Sequence, residues 1–106
     1  SAEAILNIVK NCMEHTPDGG VVRIEFAENA LYTEIDISDN GSGIDKKDLP
    51  YIFKRFYRGK NASEDSVGIG LAKAKSIIAS QNGDITVDSR VREGTRFTIK
   101  FYRQKA

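Results

Sequence analysis

Residues 39–72 read DNGSGIDKKDLPYIFKRFYRGKNASEDSVGIGLA, and this stretch decides how the chain is divided. Its two glycine pairs, Gly41 with Gly43 and Gly68 with Gly70, supply backbone freedom near both ends. Between them lie an aromatic and basic cluster, Ile52 to Arg58, and a polar run, GKNASEDS at 59–66. The polar run has almost no apolar content and is expected to be a mobile loop, because it can bury too little surface to order itself. The stretch therefore reads as an irregular segment that separates two regular halves.

Working outward, each half has the same plan. From Ala4 to Met13 the apolar residues Ala4, Ile5, Ile8, Val9, Cys12 and Met13 recur with helical period, while Asn7, Lys10, Asn11 and Glu14 take the opposite half of the wheel. Thr16-Pro17-Asp18-Gly19-Gly20 then stops the helix and turns the chain. VVRIEF at 21–26 and LYTEIDI at 31–37 alternate as strands about Glu28-Asn29-Ala30, the pattern of a hairpin. Beyond the irregular segment, Ile69 to Gln81 has near-helical apolar spacing and ends at Asn82-Gly83, and strands at 84–89 and 95–102 flank a turn at Glu93-Gly94. Helix and hairpin on each side predict an α+β two-layer sandwich, with helices on one face of a mixed, mostly antiparallel sheet.

The 106 residues suffice for one modest core and fit one domain spanning 1–106. With 40% hydrophobic and 29% charged residues the composition is that of an ordinary globular domain. Sixteen basic against fifteen acidic residues leave a net charge of +1, so no global field argues for nucleic acid or an anionic membrane, and any anion site must be local. Cys12 is the one cysteine, which excludes an internal disulfide and reads as a small core residue. No apolar run approaches the ~20 residues that span a bilayer. The abrupt start inside a helix suggests a piece of a longer protein.

Four short patterns could carry chemistry. Asn7 and Asn11 are four apart, so their amides project from one helical face, where an amide oxygen can serve a magnesium ion that otherwise keeps water and phosphate ligands. Two asparagines on a helix can equally point into solvent. Asp39-Asn40-Gly41-Ser42-Gly43 follows a strand directly, and its carboxylate could accept a hydrogen bond from an exocyclic amine; alone, such a sequence is also simply a turn. Gly68-Ile69-Gly70 opens the second helix, where free amides favour a phosphate, but it meets neither the P-loop nor the Rossmann pattern. The aromatic and basic residues at 52–58 could stack on or neutralise an anionic ligand, or be core aromatics among solvated cations.

In this order and combination the stretches resemble the ATP-binding catalytic domain of sensor histidine kinases, in the superfamily shared with gyrase, Hsp90 and MutL. NIVKNCMEHTP resembles the asparagine box, DNGSGI the first glycine box, IFKRFYR the phenylalanine box, VGIGLA the second glycine box, and EGTRFTI a final glycine-threonine segment. The resemblance covers nearly the whole chain and implies a Bergerat-type ATP-binding fold with ATP and Mg2+ as cofactors. It implies that Asn11 coordinates the metal, that Asn7 supports the phosphate side, and that Arg58 contacts the γ-phosphate. It implies that Asp39 reads the adenine amino group in a pocket shaped by Gly41 and Gly43 with Ile44, and that Thr95 lies near it. Gly68, Ile69, Gly70 and Leu71 would flank the lid and the helix end that meets the phosphates, and Phe53 and Phe56 would brace the lid.

The chain departs from the family at several positions. Glu14 stands where many relatives carry a basic residue, His15 where tyrosine is frequent, and Ser66-Val67 where additional glycine often precedes Gly68. Asn7 occupies the position at which the hydrolysing branch has a glutamate that activates water. The resemblance therefore implies a protein-histidine kinase that donates the γ-phosphoryl group to a histidine on a separate dimerisation and phosphoacceptor domain, with a response regulator downstream. His15 is not expected to be that histidine. The piece itself would be a cytoplasmic monomer, and the parent a membrane-anchored homodimer. The alternatives are a nucleotide-gated interaction module and an anti-sigma-type serine kinase, with a nucleic-acid binder further off.

Overall fold

The computed structural model describes residues 2–14, 16–54 and 70–103. His15, Phe56, Arg58, the polar run at 59–66, Gly68 and Ile69 lie outside the described residues.

The first helix, α1, runs Ala2–Glu14 and buries Ala4, Ile8 and Cys12, the i, i+4 ladder of one helical face. Met13, expected on the apolar half, is 62% exposed. It stands 100° around the wheel from Cys12, beyond the strip of helix that the sheet covers. At the helix end the Thr16 hydroxyl donates to the Cys12 carbonyl at 2.7 Å, satisfying one of the carbonyls that a helix leaves orphaned.

Four strands follow the predicted order: β1 Val22–Glu28, β2 Tyr32–Asp39, β3 Gly83–Arg90 and β4 Gly94–Tyr102. They form one sheet in the order β1-β2-β4-β3. All three pairings are antiparallel, so the mixed, mostly antiparallel sheet expected is wholly antiparallel among the described residues. The first hairpin turns on Asn29, whose side-chain oxygen accepts from the Leu31 and Tyr32 amides at 2.8 and 3.0 Å.

Period-two alternation sends Ile35, Ile37 and Asp39 of β2 and Thr95, Phe97 and Ile99 of β4 to the buried side. The register sets Ile35 against Ile99, Ile37 against Phe97, and Asp39 against Thr95. Two apolar rungs thus end in a polar one. The opposite face is polar: the Asp36 carboxylate takes the Thr98 hydroxyl at 2.9 Å and the Arg96 guanidinium at 3.2 Å. Partial burial works to raise the Asp36 carboxyl, but hydrogen bonds from Arg96, Glu34 and Thr98 outweigh it and hold the group below its ordinary value.

The second helix, α2, runs Gly70–Ser80, close to the 69–81 expected, and buries Ala74 and Ile78. It ends as Asn82, not Gly83, takes the left-handed conformation at φ 59°, held by its side-chain amide donating to the Tyr102 carbonyl at 3.1 Å. Gly83 is needed for space instead, since a Cβ there would sit 2.7 Å from Ile78 Cγ2. Glu3 and Lys73 tie α1 to α2 at 2.7 Å, an exposed pair contributing at most about 1 kcal/mol. After a short 3-10 turn at Leu49–Tyr51, Ile52 and Phe53 pack against the core. The Phe53 ring meets Phe97 edge to face at 6.3 Å between centroids, and Lys75 of α2 lies 5.0 Å from it. Phe53 thus packs on the core, while Phe56 and the lid that the two were expected to brace lie outside the described residues.

Phe97 is the largest fully buried side chain and joins β4 to this bracing segment. Phe97→Ala should lower stability by about 3–5 kcal/mol in denaturant unfolding. A loss below about 1 kcal/mol would mean that the core is centred elsewhere.

Candidate functional site

Asp39 closes β2 on the buried side and is only 9% exposed. A carboxylate placed there must be hydrogen-bonded. One oxygen accepts the Gly41 amide at 2.8 Å, which starts the turn out of the strand. The Cys12 thiol meets the same carboxylate from α1. Burial pushes the Cys12 thiol far up, and the charge of Asp39 and the hydrogen bond to it push the same way, so the sulfur keeps its proton and acts as a donor. A carboxyl group has more acceptor sites than these two donors fill, so acceptor capacity is left for a ligand.

Two glycines let the neighbouring turns close on this group. Gly43 has φ +77°, and a Cβ there would lie 2.1 Å from the Arg90 carbonyl oxygen. Gly94 has φ +127°, and its Cβ would lie 2.0 Å from the Asp39 carbonyl oxygen. Each therefore combines a backbone that L side chains resist with a contact that no side chain could make. The 39–44 turn is pinned to the second hairpin by the Arg92 amide donating to the Ser42 carbonyl at 2.7 Å and the Ile44 amide donating to the Ser89 hydroxyl at 2.8 Å. Ser89 also lies 2.8 Å from the hydroxyl of Thr95, which is 6% exposed, and donates to the Gly94 carbonyl at 2.9 Å.

The structure thus brings together Asp39, Gly41, Gly43, Ile44 and Thr95 at one end of the sheet. A depression of about 220 Å3 lies at this end of the sheet, lined mostly from the polar face and the second turn by Ser38, Asp88, Arg90, Glu93 and Arg96, and also by Asp39, Ser89 and Thr95. It does not reach Asn7 or Asn11. Those two are half-buried on one flank of α1 rather than on its solvent face, and Asn11 directly precedes Cys12. Among the described residues no group of three or more His, Cys, Asp or Glu side chains could hold a metal. A cation at α1 would take amide oxygens as its protein donors, which suits a magnesium ion that keeps water and phosphate oxygens. Gly70 and Leu71 open α2, with Leu71 packed against the core. Arg58, Gly68 and Ile69 lie outside the described residues.

Sequence reasoning missed Ser89. Its signal was the alternation of DITVDSR, which sends a hydroxyl to the inner face after Ile85 and Val87.

Residues 2–105 match the family described as histidine kinase-, DNA gyrase B-, and HSP90-like ATPase, and the chain belongs to it. Among its relatives it is similar to the heme sensor protein HssS of Staphylococcus saprophyticus, 37% identical over 99 residues, which are 93% of this chain and 21% of that protein. It is 38% identical over 98 residues to the sensor histidine kinase WalK of Bacillus subtilis, covering 88% of this chain and 16% of that protein. Of solved structures, the mycobacterial sensor histidine kinase MprB superposes with a TM-score of 0.85 at 29% identity, over 94% of this chain and 70% of that one. The catalytic domain of histidine kinase ThkA, at 22% identity and a TM-score of 0.80, shares the fold. The chain spans about a fifth of the length of these curated relatives. No helix among the described residues is long and apolar enough to cross a membrane.

Two outcomes follow from this geometry. Gly94→Ala should cost at least about 2 kcal/mol through backbone strain and displacement of Asp39, read by thermal unfolding; an unchanged midpoint would contradict the close approach. Cys12 should resist alkylation in the folded chain and react only on unfolding, and modification at the rate of a free thiol would show that it is not sealed between α1 and Asp39.

Proposed function

We propose that this chain is the ATP-binding catalytic domain of a sensor histidine kinase, a single domain of a longer protein. It would bind Mg-ATP and donate the γ-phosphoryl group to a histidine on a separate dimerisation and phosphoacceptor domain. A response regulator would take the phosphoryl group onward. The observation that carries the reading is the buried Asp39 carboxylate, held by Gly41 and Cys12 with acceptor capacity to spare and set directly across the β2–β4 ladder from buried Thr95. Two buried acceptors at a strand end suit the exocyclic amine of adenine.

Each residue then has a task. Asp39 accepts from the amine, with Gly41, Gly43 and Ile44 forming the wall of the base pocket and Thr95 beside it. Asn11 offers its amide oxygen to the magnesium ion, and Asn7 supports the phosphate side from one helical turn earlier. The bound metal would supply neutralisation of the phosphate charge. Gly70 and Leu71 open α2, whose free amides favour phosphate oxygens; Gly68 and Ile69 are assigned to the same phosphate side, and Arg58 adds a cation for the γ-phosphate. Phosphoryl transfer asks the enzyme chiefly to position and to neutralise, so these groups suffice on the donor side. At position 7 an amide stands where a carboxylate could have activated water, which supports transfer to a protein nucleophile over hydrolysis. The parent would be a membrane-anchored homodimer with this domain on the cytoplasmic side.

Calorimetric titration with ATP and GTP, with and without magnesium, tests the pocket. Asn11→Ala should weaken magnesium-dependent ATP binding by no less than the roughly 10- to 100-fold that losing a metal ligand's supporting partner costs. Asp39→Ala should remove most of the preference for ATP over GTP, roughly a 10- to 150-fold effect for a hydrogen bond to a charged group. Labelled ATP supplied with the phosphoacceptor domain should yield labelled histidine. ATP retained without transfer would instead mark a nucleotide-gated binding module.

A further inference from the structure

We infer that Ser89 is a positioning residue for nucleobase selection: its hydroxyl fixes the direction of the Thr95 hydroxyl so that Thr95 faces the base pocket as an acceptor only. The inference rests on the reading of Asp39 and Thr95 as that pocket.

The protons available at Ser89 set the direction of its hydrogen bonds. A serine hydroxyl has one proton and two lone pairs. The Ile44 amide can only donate, and it takes one lone pair of Ser89 at 2.8 Å. The Gly94 carbonyl can only accept, and it takes the Ser89 proton at 2.9 Å. With the Ser89 proton placed on the Gly94 carbonyl one lone pair remains, and across the 2.8 Å contact between the two hydroxyls we assign Thr95 as the donor. With its proton spent on Ser89, Thr95 keeps lone pairs alone for anything else.

Direction matters here because Asp39 stands opposite Thr95 in the β2–β4 register and is an acceptor as well. Two acceptors on the buried side of adjacent strands present a surface that welcomes an amine and repels a carbonyl. Adenine offers an amine at the position where guanine carries a carbonyl oxygen. A threonine free to rotate could donate to that carbonyl and would soften the discrimination. The same three bonds hold the 39–44 turn in place through Ile44, so the turn and the hydroxyl are set by one atom. Ser89 is half-buried on the inner face of β3.

The test is the ratio of ATP to GTP affinity, measured on this chain for the wild type and for Ser89→Ala, Ser89→Cys, Ser89→Thr and Asp39→Ala, with thermal unfolding of each. Losing one neutral hydrogen bond's directing effect should lower the ratio about 3- to 10-fold in Ser89→Ala. Ser89→Cys, nearly isosteric and a poor hydrogen-bonding group, should fall with it, and it carries the test if the alanine variant does not fold. Ser89→Thr keeps the hydroxyl and should keep the ratio. If the alanine and cysteine variants bind both nucleotides less well but at the wild-type ratio, while Asp39→Ala abolishes selectivity, Ser89 is only structural and the inference is overturned with the pocket intact. If Asp39→Ala leaves selectivity unchanged, the pocket reading itself is wrong and the inference falls with it.

Discussion

The antiparallel pairing of β2 with β4 is the interaction on which everything else depends. These are the two central strands, and their inner faces supply Ile35, Ile37, Phe97 and Ile99 to the core, with α1 set over β2, α2 set against α1 and β3, and Phe53 on Phe97. The same ladder, continued by one more inward rung, ends in Asp39 and Thr95. The site is therefore the last rung of the core with polar residues substituted for apolar ones. It inherits the rigidity of the sheet without needing a scaffold of its own, which is the arrangement that positions functional groups most accurately.

Placing a carboxylate at such a depth is costly unless it is satisfied, and the fold satisfies it from two directions. The Gly41 amide comes from the turn that follows the strand, and the Cys12 thiol comes from the helix above. The close approaches of Gly43 to Arg90 and of Gly94 to Asp39 then seal that end of the sheet with backbone rather than side chains. The close backbone approaches at these glycines and the buried carboxylate are both held in place by the β2–β4 ladder.

Much of this was legible in the sequence because it is periodic. The 3.6-residue spacing of Ala4, Ile8 and Cys12 and the twofold alternation around Ile37 and Phe97 specify which face is buried, and the ends of elements fell within two residues of expectation. Asp39 and Gly43 were readable as a strand end followed by a turn that needs a left-handed residue. What was not legible depends on long-range register. Nothing local shows that β4 inserts between β2 and β3, so nothing local shows that Thr95 faces Asp39 or that Ser89 lies within reach of Ile44. Met13 was misplaced because a helical wheel shows which residues could be covered, not how wide the covering sheet is. The half-buried setting of Asn7 and Asn11 differs from the solvent-facing side of the wheel for the same reason.

The insertion of β4 between its two neighbours also has a bearing on how the family can diverge. The central ladder joins Tyr32–Asp39 to Gly94–Tyr102, so its formation closes a long loop that contains the glycine boxes, the aromatic cluster and α2. The entropy of closing a loop grows only logarithmically, about 0.6 kcal/mol for each doubling of its length. Residues can therefore be gained or lost between the pinned 39–44 turn and α2 with little effect on whether the sheet assembles. The part of the protein with most freedom to change length is the part that the proposed reading places over the phosphates, so kinetic and regulatory properties can be retuned there while the base pocket stays fixed.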